Sequence, residues 1–229
     1  MASAGHSKLF VWLSPSFPVA SFAYSHGLEW AQKAELVTNE ASLQNWLNDL
    51  LTHGSWHNDA IFLVATFDRL LATSRHDLRS VWPDICGIID LNLALCASKE
   101  RYSETVQQGN ALVLAAKSAW SCHTIDFVDR DISYPVALAL LCIGHHIEKT
   151  DVLTAYGLSF VQNLVSASIR LGIIGQTSGQ NIIAALLPIV EREVENLASS
   201  TLDDLSNAAL TSDFAAIQHE TQYTRIFRS

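Results

Sequence analysis

The stretch "PVASFAYSHGLEW" (Pro18–Trp30) decides how this chain is read. Inside it, "AYSHG" (Ala23–Gly27) sets a small residue, Ser25 and Gly27 at the spacing of a nucleophile elbow. That turn presents a catalytic serine between a strand and a helix. The same letters also describe a proline-led loop entering a helix that buries aromatic rings. An elbow needs a buried strand before the serine, and a sheet that brings a histidine and a carboxylate beside it. The preceding "SPSFPVASFA" holds two prolines and no strand-like run, and only 24 residues precede Ser25. We therefore read a loop that turns into a helix from Ser21 onward, with Phe22, Leu28 and Trp30 packing and Gly27 allowing close backbone approach. A serine hydrolase using Ser25 is the alternative.

Outward from that stretch, helical periodicity dominates. "TNEASLQNWLNDLLTHG" places Leu43, Trp46, Leu47, Leu50 and Leu51 on one stripe, with Thr38 or Asn39 as cap. "WHNDAIFLVATFDRLLA" is apolar nearly all round from Ala60 to Phe67, which marks a central helix. "PDICGIIDLNLALCA" and "ERYSETVQQGNALVLAAKSAW" supply two more. "YPVALALLCIGHHIE" opens with Pro135 at a first helical position, where its missing N–H costs nothing. "TDVLTAYGLSFVQNLVSASIRLG" is capped by Thr150 or Asp151 and stopped by Gly172. In "GQNIIAALLPIVEREVENLA", Pro188 predicts a kink. No period-2 segment, hairpin turn, repeat or long linker interrupts the series. The expected fold is all-α: one domain over residues 1–229, a bundle of roughly eight to ten helices, with a flexible C-terminal tail from about 212 to 229.

Composition narrows the function. Hydrophobic residues make up 49% and charged residues 16%, and mean hydropathy is +0.19. That surplus leaves apolar surface for a subunit or partner. The net charge is −9 and no basic block occurs, so nucleic-acid binding has no electrostatic basis. The most apolar run, Pro135–Gly144, is far short of the ~20 residues a membrane span needs, and "MASAGHSKLF" has no secretory-signal pattern. Cys86, Cys96, Cys122 and Cys142 are spread through apolar surroundings, which reads as reduced thiols in a cytoplasmic protein.

The candidate sites are few. His53 and His57 stand at i, i+4, and Cys142, His145 and His146 form C-x-x-H-H. Neither has a second cluster to close a tetrahedral metal site, so no metal ligands are assigned. "RLGIIGQTSGQ" (Arg170–Gln180) is glycine-rich but lacks the lysine of a phosphate loop and a leading strand. It reads as a tight interhelical turn. In "KERYSETVQQG", Arg101 would need a carboxylate or carbonyl partner if buried. The closing "YTRIFRS" interleaves Arg225 and Arg228 with Tyr223, Ile226 and Phe227 on an otherwise acidic chain. Aromatic and arginine side chains dominate protein interfaces, so this tail is expected to dock, on the protein's own helices or on another subunit.

Four separated stretches then carry a resemblance: "SPSFPVASFAYSHGLE", "ERYSETVQQG", "RLGIIGQTSGQ" and "HETQYTRIFRS". Together they resemble the UreF family of urease accessory proteins. The resemblance implies an all-α protein that dimerises, has no chemistry or cofactor of its own, and binds the accessory protein UreD. Through UreD it would meet the urease apoprotein and the GTPase UreG, whose GTP hydrolysis drives nickel delivery and which the family is proposed to regulate. By carry-over, Tyr223, Arg225, Phe227 and Arg228 belong to the tail that orders against UreD. Phe22, Tyr24, His26 and Glu29 form a second partner contact, and Arg170, Gln176 and Gln180 face UreG. One departure stands out. Where the family reads Pro-Val-Gly-Gly-Phe, this chain has Pro18-Val19-Ala20-Ser21-Phe22, which is expected to exclude an easy positive φ.

Overall fold

Apolar residues at helical spacing give helices wherever the sequence offers them, and polar caps set the ends. In the computed structural model, which describes residues 4–72, 78–206 and 208–229, they are α1 (Ala4–Trp12), α2 (Leu28–Lys33), α3 (Glu40–His53), α4 (Ser55–Leu71) and α5 (Leu78–Ala94). There follow α6 (Lys99–Ala119), the single turn α7 (His123–Asp126), α8 (Tyr134–Gly144), α9 (Lys149–Arg170), α10 (Gln176–Leu197) and α11 (Leu210–His219). No strand occurs among the described residues.

Asn39 caps α3: its side chain accepts from Ser42 N, and the Ser42 hydroxyl returns to Asn39 N, a reciprocal capping box. The α3 stripe Leu43, Trp46, Leu47, Leu50 and Leu51 is buried throughout. α8, apolar on every face, is buried from Tyr134 to Ile143 and lies between α4 and α6. α9 pairs with α10, and α3 packs on α10 and α4. α1 lies on α9, and α11 crosses α2. α9 is also long and apolar enough to cross a membrane by length and composition, yet more than half of that window is buried in this fold.

Several boundaries shift for physical reasons. α9 begins at Lys149, with Glu148 extended before it, so Asp151 sits in the first turn rather than at the cap. α10 runs on through Pro188, which is exposed, so the carbonyl that loses its donor can turn to water. The helix expected from Ser21 is split: a 3-10 turn over Ser21–Ala23 precedes α2, because His26 (φ 51°) and Gly27 (φ 74°) are left-handed and end any continuous helix there.

Ala20, at a position expected to exclude an easy positive φ, corrects that expectation. It holds φ 56° and ψ 29°, a left-handed conformation. The loop holds a shape that glycine adopts freely and alanine does not. Ala20→Gly is therefore expected to stabilise the protein by about 1 kcal/mol, raising the calorimetric Tm by about 2–4 °C; an unchanged or lower Tm contradicts the strain.

Candidate partner-docking site

The N-terminal loop, the start of α6 and the closing residues meet around two buried carboxylates. Gly27 turns the chain into α2 so tightly that a Cβ there would stand 2.7 Å from Ala216 N of α11. That approach brings Glu29 (5% exposed) against the chain's last residues. Its carboxylate accepts from Ile226 N at 2.7 Å and Phe227 N at 2.8 Å, and lies 3.3 Å from His219 Nε2. His219, fully buried, faces Glu100 through Nδ1 at 2.7 Å, and Arg225 donates to the same Glu100 at 2.7 Å. The backbones then pair directly: Arg228 N donates to Ala23 O and Ser25 N to Ser229 O, each at 2.8 Å. Phe227 seats its ring under the Arg170 guanidinium, 4.4 Å from the centroid, while Arg170 donates to Phe22 O at 2.7 Å.

The second carboxylate is Glu104 of α6. It receives Arg101 at 2.7 Å and the Ser229 hydroxyl and Gln108 amide at 3.1 Å each, and lies 3.0 Å from His26 Nε2. Arg101 reaches on to Asp59 of α4 at 3.4 Å, which also accepts from the Tyr156 hydroxyl of α9 at 2.8 Å. Burial alone would push the Glu104 carboxyl up, but Arg101 and then His26 outweigh it and hold it at about 2. At Asp59 burial wins over Arg101 and Tyr156, and the carboxyl is raised. Burial pulls on Arg101 too, yet Glu104 and Asp59 raise its pKa further and keep it charged.

The positions singled out from sequence thus divide into two sets. Tyr24, His26, Glu29 and Phe227 are buried, and Arg170 is engaged with Phe22 and Phe227; these form the mount. Phe22 (53% exposed), Tyr223 (fully exposed), Arg225 and Arg228 stand outside it, together with Ile226 (67%). Gln176 and Gln180 are exposed on a separate groove between α9 and α10, which Arg170 borders.

Ser25 is fully buried, donates its hydroxyl to Ser229 O and accepts from Glu29 N at 3.4 Å. The first bond fastens the tail to the loop before α2, and the second joins that loop to the first turn of α2. The paired-ligand readings dissolve for geometric reasons. Gly54 separates α3 from α4, so His53 and His57 lie on different helices. His145 follows the end of α8, where its ring contacts Trp120 O and Lys8 Nζ at 2.8 Å each. Among the described residues no group of three metal-binding side chains occurs.

The model of the family described as UreF matches residues 37–187 of this chain. The urease accessory protein UreF of Methylorubrum populi is 42% identical over 226 residues, which cover 97% of this chain and 98% of that protein. That of Azorhizobium caulinodans is 39% identical over 225 residues, covering 96% and 94%. The protein named UreF 1 of Brucella canis is 40% identical over 222 residues, covering 97% and 93%. The chain belongs to the UreF family.

Sequence reasoning about this UreF chain missed His219 and Asp59 as partners of the node, and left the role of Glu104 open. Each sits on a helix face that also carries apolar residues, so periodicity alone reads it as packing. The one legible signal was stoichiometric: a buried Arg101 requires carboxylates, and Glu104 stands at i+3 on the same helix.

Two outcomes follow. Glu29→Gln keeps the shape but replaces one of the two acceptor oxygens, each of which meets a backbone donor, with an NH2 group. It is expected to cost about 1–3 kcal/mol in urea denaturation and to expose the tail to carboxypeptidase, which the wild type is expected to resist; equal resistance of the two proteins counts against the clamp. The second concerns acid. Glu104 has a folded pKa below its unfolded value, so its stabilisation is present above about pH 4.5 and disappears as pH falls toward about 2. Wild-type stability should fall across that window by an amount on the order of 3 kcal/mol, and Glu104→Gln should flatten the fall.

Proposed function

We propose that this UreF-family chain is a non-enzymatic scaffold of urease maturation. It docks on UreD through the surface that its N-terminal loop and closing residues share. With UreD it recruits the GTPase UreG to the urease apoprotein, supports GTP-dependent nickel insertion and tunes the GTPase. It acts in the cytoplasm as a single-domain homodimer, with Gln176, Gln180 and the neighbouring Arg170 on the face turned to UreG.

The observation that carries this reading is the contrast between mount and display. Glu29, Glu104 and Arg101 are spent on fixing a segment that leaves Phe22, Tyr223 and Ile226 exposed. A protein gains nothing for its own stability by holding an aromatic ring in water; a partner that buries it gains the apolar area. Pre-ordering the segment also removes part of the entropy cost of association. The hydroxyl of Ser25, taken up by Ser229 and Glu29 N, does not favour hydrolysis.

The test is co-purification of UreD with Tyr223→Ala/Ile226→Ala. Both side chains are exposed, so Tm is expected to stay within about 1 °C of wild type, while retained UreD falls at least tenfold. Full retention of UreD by the double variant overturns the assignment.

A further inference from the structure

Two small cavities flank the Asp59–Arg101 pair. One, of about 40 Å³, is lined by His26, Asp59, Arg101, Glu104, Tyr134 and Tyr156. The other, also about 40 Å³, lies where α4, α5 and α6 meet α11 and is lined by Asp59, Asn92, Cys96, Arg101 and Asp213, among others. Asp59 and Arg101 belong to both linings. Asn92 of α5 is 6% exposed, and its amide oxygen has no hydrogen-bond partner in the protein.

We propose that each cavity is a binding site for internal water, and that the water beside Asn92 bridges α4, α5 and α6. Size comes first: one water needs at least about 10–15 Å³ of such space, and each cavity offers more than that but no room for a metabolite. Charge comes second. The guanidinium of Arg101 borders both spaces and opposes a cation, while Asp59, joined by Glu104 in one and by Asp213 in the other, repels an anion. The charged groups in both walls disfavour an apolar guest, which would leave them unsolvated. What remains is a neutral molecule that donates and accepts at once. Water donates to the Asn92 oxygen, which would otherwise carry the cost of a buried unsatisfied acceptor, and can accept from Arg101 and donate to Asp59 in the same space.

This hydration is independent of any partner, so it stands or falls apart from the scaffold reading. The test is a crystal structure of the full chain at about 1.5 Å. Expected is an ordered water about 3 Å from the Asn92 amide oxygen and a second one between Tyr156 and Glu104. Empty density at either place, a direct protein contact to Asn92, or a peak with the short, multiple oxygen contacts of a metal ion overturns the proposal. In solution, oxygen-17 relaxation dispersion counts long-lived waters. Asn92→Leu should lower the count by at least one with the far-ultraviolet circular dichroism unchanged. Should the leucine variant fail to fold, Asn92→Ser, which keeps a polar group and leaves more room, should preserve or raise the count. A leucine variant with an undiminished count, or a serine variant with a lower one, contradicts the site.

Discussion

Burying a carboxylate costs several kcal/mol unless positive charge or N–H groups meet it, and this molecule buries two, Glu29 and Glu104, where its N-terminal loop and its closing residues come together. Each is satisfied from more than one segment. Glu29 depends on backbone donors of residues 226 and 227 and on His219; Glu104 depends on Arg101, His26 and the Ser229 hydroxyl. Removing one partner leaves a charge stranded away from water, a loss of about 3–5 kcal/mol for a buried pair. The four stretches that carry the family resemblance are thus the pieces of one assembly. The helical bundle serves to hold them within reach of each other.

That dependence links local chemistry to display. Because the closing segment pairs its backbone with Ala23 and Ser25, its side chains alternate between an anchored Phe227 and the exposed Ile226 and Arg228. Arg170, reaching from the end of α9 over Phe227 and back to Phe22 O, ties the α9–α10 turn to the same assembly. The proposed docking surface and the groove that Gln176 and Gln180 border therefore share Arg170. A partner on the first face would meet a side chain that also borders the second.

The helices were legible because burial on one face imposes a period that any apolar stripe displays: α3 and α8 could be drawn from their letters. The proline at position 188 does not end its helix, since an exposed proline in a long helix leaves its free carbonyl to solvent. The site was legible only as anomalies, a serine before a glycine, an arginine that needed partners, an aromatic–arginine tail. Their convergence was hidden because hydrogen bonds between residues 29 and 226, or 104 and 229, leave no periodic trace. Ala20 was misjudged for a related reason. Propensity says that alanine avoids a left-handed conformation, but the surrounding loop over-determines it.

The central claim is that the closing segment is folded onto the N-terminal loop before any partner arrives. Hydrogen exchange of the isolated protein, read at the amides of Ile226, Phe227 and Arg228, tests it most directly. The account predicts protection at all three, with Ile226 and Phe227 slowed by Glu29 and Arg228 by Ala23 O. Exchange of these amides at the rate of an unstructured peptide, while the amides of α9 remain protected, would contradict it.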